Sequence, residues 1–532
     1  MMKRIACLVL CAAMLLPLFG CGTDDNAYVP TGNGLTWDDP TAPIATNPLD
    51  VEQEQSITMA YYPSKSFNPL ISTEHTNRTL IPLIYQGLFT VDRNYEAKPI
   101  LCKYFTKTRD MRTYVFYLQE ATFSDGTKLT ANDVVVTLNA ATESPVYKGR
   151  FHYVDEIKAT PDGGIMVRLT AAYENLPLLL DIPILKAEEL ERDRPVGTGP
   201  YRLDATANGM QLTRRIEWWC KAELSINTPK IPLIPAEDAV DIRDEFEFGD
   251  INLVCADPTS NGYADYRCDY ELWDCEGGVF LYLGCNMESP VFSNEDVRSA
   301  LTFAIDRESL STAFYRGFAR GTTLPVSPLS PFYNAGLASR YNYSPALFAQ
   351  AVISAAMAGS TVTMLVNKDD NLRLQAAREI ADMLTECGLT VVMSELETNS
   401  YRKALRRGSY DLYLGQTKLS PNMDLSAFFA HDGALRWGGL DNVAMYAMCQ
   451  EALANRGNYY NLHQQVADDG RLTAVAFLNY AVYADRGLMP DMAPARDNIF
   501  YYDLGRTLED AQQAPTTTPA ETTPPQPTEP EN

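Results

Sequence analysis

Positive charge is scarce in this sequence. The chain of 532 residues carries 44 Lys and Arg against 68 Asp and Glu, so its formal net charge is −24. Proteins that bind nucleic acid need clustered Lys and Arg to meet the phosphates. The composition therefore argues against nucleic acid as a partner. It does not identify a cationic ligand, because net charge bears mainly on solubility.

Histidine is also rare, and the motifs of common enzymes are missing. The sequence has no HExxH, no G-x-S-x-G and no P-loop. His431-Asp432 resembles half of a catalytic pair, but no nucleophile motif accompanies it, and a surface histidine is the simpler interpretation. We expect no enzymatic activity. The four histidines are isolated: His75, His152, His431 and His463.

Cysteines with metal-ligand spacing are missing too. No CxxC pair occurs after Cys21, and successive gaps of 13, 7 and 10 between Cys255 and Cys285 are not a zinc spacing. We predict no metal site and no cofactor. Disulfides are open to an exported chain, but a body of this size does not need them, and we predict buried free thiols. The eight cysteines are Cys102, Cys220, Cys255, Cys268, Cys275, Cys285, Cys387 and Cys449.

The one long apolar run lies at the N-terminus and is too short to cross a membrane. Lys3 and Arg4 precede apolar or small residues up to Phe19, whereas a spanning helix needs about 20. A basic start and a short apolar stretch are typical of a secretion signal, here residues 1–20. Gly20-Cys21 ends a stretch that resembles the bacterial lipobox, so we predict that Cys21 carries a lipid anchor. The alternative is an ordinary cleaved signal with an incidental cysteine.

Two segments lack the composition of a folded core. Residues 21–56 form an acidic tether with no Lys or Arg, and residues 512–532 form a tail rich in Pro and Thr. Neither can bury enough apolar surface to order itself, so we expect both to be disordered. The chain as a whole is 46% apolar and 10% aromatic, which indicates a large core in the body between these two segments.

Strand and helix signals alternate along this body. Tyr114–Gln119 reads as a strand, Asp125-Gly126 as a turn, and Thr130 with Asp133 as a capping box. Ser293 stands three residues before Asp296, at the start of another predicted helix. The apolar stripe of that helix repeats at helical spacing: Val297, Ala300, Leu301 and Ala304.

The clearest α/β unit runs from residue 361 to 414. Strands separated by helices imply a largely parallel or mixed sheet with covered faces. Gly388 fits the C-terminal cap of the first helix. The predicted elements are a strand at 361–366, a helix carrying Ala377, Ile380, Ala381 and Leu384, a strand at 390–393, a helix at 400–407 and a strand at 410–414.

Four motifs in a fixed order resemble the peptide and nickel-type bacterial extracellular solute-binding proteins, family 5. The resemblance covers about residues 57–505. The motifs are Phe67-Asn68-Pro69-Leu70 with Leu83-Ile84-Tyr85-Gln86-Gly87-Leu88, the stretch Phe123–Val134, Gly197-Thr198-Gly199-Pro200-Tyr201, and Val297–Arg307. Each taken alone reads as a fold marker: Gly197 and Gly199, for example, would let the chain cross between lobes.

The resemblance implies an α/β, two-lobed periplasmic-binding-protein-like fold (type II, cluster C) with mixed sheets. Residues 57–285 would form lobe 1, with an inserted subdomain at about 82–190. Residues 286–480 would form lobe 2, and 481–511 would return to lobe 1. A ligand would lie in the cleft, and the lobes would close over it.

The resemblance weakens in the stretch 415–424, which we predict to be a loop after the strand. In peptide-binding relatives this strand leads into a Trp and then an Asp-Tyr pair, whose Asp can hold the free amine of a peptide. Here Thr417, Ser420 and Pro421 occupy those places. A neutral Ser cannot pair with a buried ammonium. Asp424 could replace the missing carboxylate, or it could cap a helix at 425–429.

The resemblance implies a solute-binding lipoprotein of an ABC importer, anchored outside the cytoplasm by its lipid. It would work with an ABC permease and ATPase and act as a monomer. The rival hypothesis is a sensory or interaction protein that kept the fold but delivers no solute. The predicted ligand-binding residues are Asn68, Tyr85, Gln86, Thr417, Ser420, Asn422, Asp424 and Trp437.

Overall fold

Mixed sheets covered by helices make up the part of the chain that the computed structural model describes. The described residues are 56–207, 209–220, 224, 226, 228–257, 266–489, 492, 494–501 and 507–512. The predicted signal, the lipidation site Cys21, the tether up to residue 55 and the tail beyond 512 lie outside them. No helix among the described residues is long and apolar enough to span a membrane.

The strands of the described part are short, apart from two that run for 13 and 15 residues. In chain order they are β1 (Met59–Tyr61), β2 (Phe89–Val91), β3 (Ala97–Pro99), β4 (Cys102–Lys107), β5 (Thr113–Leu118), β6 (Val154–Ala159), β7 (Ile165–Leu169), β8 (Tyr201–Thr206), β9 (Gly209–Arg214), β10 (Lys230–Pro235), β11 (Leu253–Ala256), β12 (Glu271–Cys285), β13 (Ala319–Gly321), β14 (Thr361–Asn367), β15 (Thr390–Leu396), β16 (Leu412–Lys418) and β17 (Leu472–Ala484).

The α-helices of the described part are mostly of 10 to 16 residues, with several shorter ones between them. In chain order they are α1 (His75–Ile84), α2 (Ala131–Ala141), α3 (Ala239–Phe248), α4 (Glu295–Ala300), α5 (Arg307–Ala313), α6 (Ala335–Ala338), α7 (Pro345–Ser354), α8 (Asn371–Glu386), α9 (Thr398–Arg407), α10 (Ser426–Phe429), α11 (Val443–Ala454), α12 (Tyr459–Asp469) and α13 (Leu508–Gln512).

Two four-stranded sheets are built from the first half of the chain. One has the order β1-β10-β9-β8, with β1 parallel to β10. The other has the order β4-β5-β7-β6 and is antiparallel throughout, and β2 and β3 pair with each other beside it. The strands of the second sheet come between β1 and β8 in the chain, so this sheet is inserted between strands of the first.

A seven-stranded mixed sheet joins the two halves of the chain. Its order is β11-β17-β12-β16-β14-β15, with β13 on β17. The long strands β12 and β17 pair antiparallel over almost their whole length, whereas β14 is parallel to both β15 and β16. The prediction of an α/β fold with mixed sheets is therefore confirmed. The numerical lobe boundaries stay a prediction.

Local capping signals are confirmed in one helix and shifted by a residue in another. Thr130 and Asp133 form a reciprocal capping box at α2. The predicted cap Ser293 is wrong: Asn294 caps α4, because its side chain accepts a hydrogen bond from the amide of Val297 at 3.1 Å. All four residues of the predicted stripe from Val297 to Ala304 are buried.

The prediction for the strand at 410–414 is wrong at both ends. β16 begins at Leu412 and continues to Lys418, through the first half of the stretch that the sequence assigned to a loop. The cause is long-range pairing, since β12 pairs with β16 from Val279↔Lys418 to Cys285↔Leu412. Thr417 is consequently a strand residue.

Gly197 and Gly199 make a close contact with the end of α1, and their role in a crossing between lobes stays a prediction. A Cβ added to Gly197 would lie 2.0 Å from the carbonyl oxygen of Ile84, and one on Gly199 would lie 2.5 Å from that of Leu83. The Gly199 amide donates to the Ile84 carbonyl at 2.9 Å. This motif therefore seals the C-terminal end of α1, and only glycine permits the approach.

The cysteines of the described body are free thiols. Five are buried, and three, Cys220, Cys255 and Cys268, are partly exposed. No disulfide joins these eight residues, and the prediction of burial holds for five of them.

Candidate ligand-binding cleft

A cavity of about 880 Å³ opens among the described residues. Segments far apart in the chain line it, among them α1 with the stretch 145–152, the stretch 417–435, single residues of β11, β12 and β17, and residues 496–499. A volume of this size is within the range of about 300–1,000 Å³ that small-molecule sites occupy.

A bulge in β12 positions the middle of this cavity. The register between β12 and β17 shifts between Glu276 and Val279, where Gly277 and Gly278 are inserted. Gly278 has a φ of +66° and a Cβ there would lie 2.5 Å from the Arg496 guanidinium. The Gly278 carbonyl accepts from the Leu419 amide at 3.0 Å, and the Glu276 carbonyl accepts from the Asp497 amide at 3.0 Å.

Those two backbone contacts bring Lys418 and Asp497 together. Lys418 Nζ lies 2.6 Å from Asp497 Oδ1, and Arg496 Nη1 lies 3.9 Å from Asp497 Oδ2. The Lys418 side chain is 42% exposed, and it is exposed to the cavity. Burial lowers the pKa of Lys418, with Asp497 opposing it. Burial alone would raise the pKa of Asp497, but Lys418 and Arg496 outweigh it and hold that pKa below its ordinary value.

Two rings stack beside this ion pair. His75 and Tyr480 have ring centroids 4.1 Å apart at an interplanar angle of 29°, and Lys418 Nζ lies 5.8 Å from the Tyr480 centroid. Burial lowers the pKa of His75, so its imidazole is neutral at neutral pH. Burial raises the pKa of Tyr480 well above its ordinary value, so the phenol stays protonated. This part of the lining is therefore aromatic and carries no net charge of its own.

A cationic group lines the cavity at α1 and the stretch 147–150. The guanidinium of Arg78 lies 5.8 Å from the ring centroid of Tyr147, and that of Arg150 lies 5.0 Å from it. Arg150 is paired with Asp181. Lys148 adds a third cation at the exposed margin of the cavity.

An anionic group lines the cavity at the stretch 424–432. Asp424 Oδ1 accepts from the Ser426 amide at 2.9 Å and from its hydroxyl at 2.6 Å. Asp424 Oδ2 lies 3.4 Å from Nε2 of His152, and the Tyr153 hydroxyl lies 2.9 Å from the Ser426 hydroxyl. Asp424 thus braces the start of α10 with one oxygen and leaves the other beside the cavity.

Five of the predicted ligand-binding residues line this cavity, namely Tyr85, Gln86, Thr417, Ser420 and Asp424. Two of them are already engaged in the fold. The Tyr85 hydroxyl donates to the Pro195 carbonyl at 2.9 Å, and Gln86 Oε1 accepts from Nε1 of Trp219 at 2.9 Å. Contact with a ligand stays a prediction for all five.

The other three predicted residues do not lie on the lining. Asn68 is buried and its amide group donates to the carbonyls of Leu190 and Arg192, at 2.7 and 2.9 Å. Asn422 is buried, and its amide donates to the Tyr173 hydroxyl. Trp437 packs against the core. The side chains of these three residues contact other parts of the fold, and a role for them in ligand binding stays a prediction that this cavity does not support.

Several charged and aromatic residues of the lining carry no signal in the sequence. Lys418 lies inside the stretch 415–424, where nothing local marks it as a cation of the cavity. His75, Arg78, Tyr480 and Asp497 come from segments far apart in the chain and carry no local motif, so only the tertiary pairing assembles them. Among the described residues no group of three or more His, Cys, Asp or Glu side chains could hold a metal ion.

Comparison with known proteins identifies the family. The model of the family described as bacterial extracellular solute-binding proteins, family 5 Middle, matches residues 96–434. This match covers more than half of the chain. The chain belongs to this family. The resemblance that the four motifs indicated is confirmed, and the cavity described above is the candidate binding site of a family 5 solute-binding protein.

Curated relatives and solved structures agree with this assignment. The chain is 23% identical over 380 residues to the oligopeptide-binding protein AppA of Bacillus subtilis, covering 65% of this chain and 69% of that protein. It is 24% identical over 282 residues to the glutathione-binding protein GsiB of Escherichia coli, covering 49% of this chain and 54% of that protein. The match therefore spans about half the length of GsiB.

A solved structure shows the same fold. The ABC transporter substrate-binding protein CtaP of Listeria monocytogenes superposes with a TM-score of 0.70 at 18% identity, covering 85% of this chain and 97% of that chain. The predicted two-lobed solute-binding fold is confirmed by this likeness.

Proposed function

We propose that this protein is the solute-binding component of an ABC importer, and that it captures a short peptide or a peptide-like small solute in the cleft. It would act as a monomer by binding alone, without catalysis, and deliver the solute to a permease driven by an ATPase. Family membership supports solute binding, and the names of the relatives AppA and GsiB support a peptide-like ligand.

The observation that carries the peptide-like choice is the distribution of charge in the cavity. The cations Arg78, Lys148 and Arg150 lie in one part of the lining, and the carboxylates Asp424 and Asp432 lie in another. A zwitterion offers a group of each sign, and partners of opposite charge favour correctly oriented binding. An apolar solute would desolvate these charged groups without offering them a partner of opposite charge, which is costly.

Native mass spectrometry of the purified protein tests this proposal. We expect the wild-type protein to retain peptides from a mixed tripeptide library. We expect Lys418→Met to retain them more weakly, because this substitution removes a cation from the lining. Lys368→Met is the matched control, because Lys368 pairs with Glu397 and does not line the cavity. Failure of the wild-type protein to retain any peptide would contradict the proposal and favour a sensory or interaction protein.

We also propose that Cys21 anchors the protein to the outer side of the cell membrane through its acyl chains. The support is the sequence Leu18-Phe19-Gly20-Cys21, and each buried CH₂ of such a chain contributes about 0.8 kcal/mol to membrane binding. Cys21→Ser should move the protein from the membrane fraction to the soluble fraction, whereas Cys220→Ser, in the folded body, should leave it bound. A Cys21→Ser protein that stays in the membrane fraction would refute the anchor.

A further inference from the structure

Arg78 differs from the paired cations of the cavity because none of its hydrogen-bond partners is a carboxylate. Its Nη1 donates to the Ser72 carbonyl at 2.9 Å and to the Pro69 carbonyl at 3.4 Å, and its Nη2 donates to the Tyr147 hydroxyl at 3.4 Å. Arg150 and Lys418, by contrast, are each paired with an aspartate. Within the described part of the chain, the charge of Arg78 has no ion-pair partner.

The three hydrogen bonds leave one edge of the Arg78 guanidinium unused. A guanidinium has five N–H groups, and no described residue accepts a hydrogen bond from Nε. In a guanidinium the Nε–H and one Nη2–H lie parallel along one edge, and the Nε of this edge on Arg78 is the unused donor. Two parallel N–H groups of this kind match the two oxygens of a carboxylate, which accepts both bonds at once.

The surroundings hold this edge in place. Two backbone carbonyls fix Nη1, and the Tyr147 ring lies 5.8 Å from the guanidinium carbon. Arg78 itself comes from α1, whose N-terminal cap is the Glu74 side chain. A donor that is already ordered loses little conformational entropy when a ligand arrives, so its hydrogen bonds contribute more of their strength to affinity.

The neighbours of Arg78 add to its preference for an anion. Arg150 flanks the same Tyr147 ring, and Lys148 lies between these two residues in the chain. Two carboxylates of the lining counter them: Asp181 pairs with Arg150, and Asp497, which pairs with Lys418, also acts on Arg78 electrostatically. This part of the cavity is therefore electropositive, whereas the part at 424–432 is electronegative.

We propose that Arg78 binds a carboxylate of the ligand, so that the ligand lies with its acidic end at Tyr147 and Arg78 and its cationic end toward Asp424. This inference rests on the proposed function and adds the orientation of the solute and its main anchor. The carboxylate comes either from a peptide C-terminus or from an acidic side chain, and both are planar groups that accept two hydrogen bonds.

Paired peptide libraries test the proposal by isothermal titration. The first is a tripeptide library with free C-terminal carboxylates, the second is the same library as C-terminal amides, and the third contains amides with one Asp or Glu. For the wild-type protein we expect the neutral amides to bind about tenfold to a hundredfold more weakly, because a charged hydrogen-bonding pair is lost. Binding restored in the third library would assign the carboxylate to a side chain.

Arg78→Gln should bind peptide acids and peptide amides with equal, weak affinity. Arg78→Lys should recover part of the preference for the acids, since it keeps the positive charge but loses the two parallel N–H groups. Arg378→Gln is the control, because Arg378 pairs with Glu395 away from the cavity. Thermal unfolding of each variant separates loss of binding from loss of fold, with Arg78→Lys serving if the Gln variant unfolds.

Two results would overturn this inference while leaving the proposed function intact. One is equal affinity of the wild-type protein for acids and amides. The other is an Arg78→Gln protein that folds normally and keeps the full preference for the acids. Failure of all three libraries to bind the wild-type protein would instead overturn the proposed function itself, and this inference with it.

Discussion

At the scale of single residues, the position of Asp424 is compatible with both of the roles that the sequence left open, bracing a helix and contacting the ligand. Its Oδ1 accepts two hydrogen bonds from Ser426 at the start of α10, which is a bracing role. Its Oδ2 lies beside the cavity, 3.4 Å from Nε2 of His152. The two carboxylate oxygens therefore have different surroundings. A substitution that keeps one oxygen and removes the charge can distinguish bracing from ligand binding.

Asp424→Asn makes that separation. The amide oxygen still accepts from Ser426, so we expect the free energy of unfolding to change by less than about 1 kcal/mol. The negative charge is lost, so a ligand that carries an ammonium group should bind with about 1.5–3 kcal/mol less free energy, roughly a tenfold to hundredfold loss of affinity. Titration of both proteins with the same tripeptide library, together with thermal unfolding, measures the two effects.

Asp441→Asn provides the matched control for this prediction. Asp441 is near His431 and Arg436, and it does not line the cavity. It should leave the affinity unchanged. If Asp424→Asn also binds the library as tightly as the wild-type protein, Asp424 is a bracing residue alone, and the cationic end of the ligand is held elsewhere.

At the scale of elements, the sequence predicts what local signals determine. The capping box at Thr130 and the apolar stripe of α8 are local, because they depend on hydrogen bonds and side chains within one helix. The limits of β16 are not local: the pairing of Val279 with Lys418 keeps the strand extended beyond Leu414. A stretch of Gly, Gln, Thr and Lys gives no apolar alternation, so its pairing could not be inferred.

The same reasoning explains why the site was predicted only in part. Thr417, Ser420 and Asp424 follow one another in a motif whose position is known from the family resemblance, and the structure places all three on the lining. Lys418 and Asp497 meet only because the backbones of residues 419 and 497 both pair with the bulge of β12. When two segments meet only because each pairs with a third segment, neither of the two carries a local sequence pattern that predicts the contact.

At the scale of the whole molecule, hydrogen bonds link the stretch 153–174 to the stretch 422–453. The Tyr153 hydroxyl meets the Ser426 hydroxyl at 2.9 Å, and Asn422 donates to Tyr173. The Glu174 amide donates to the Leu453 carbonyl at 2.9 Å. A hydrogen bond of this kind contributes only about 0.5–1.5 kcal/mol of net stability, so a ligand held by both segments would strengthen the link between them.

A ligand that touches both sides of the cavity should therefore decide how far the cleft closes. A bound solute favours the closed form by its difference in affinity for the two forms. We expect the radius of gyration from small-angle scattering to decrease when a saturating tripeptide ligand is added.

We also expect a larger radius of gyration for ligand-free Tyr153→Phe than for the ligand-free wild-type protein, because the contact with Ser426 is lost. Tyr117→Phe is the control, since the Tyr117 hydroxyl meets Asp162 outside the cavity. An unchanged radius in the presence of a tightly bound, saturating ligand would count against closure of the lobes.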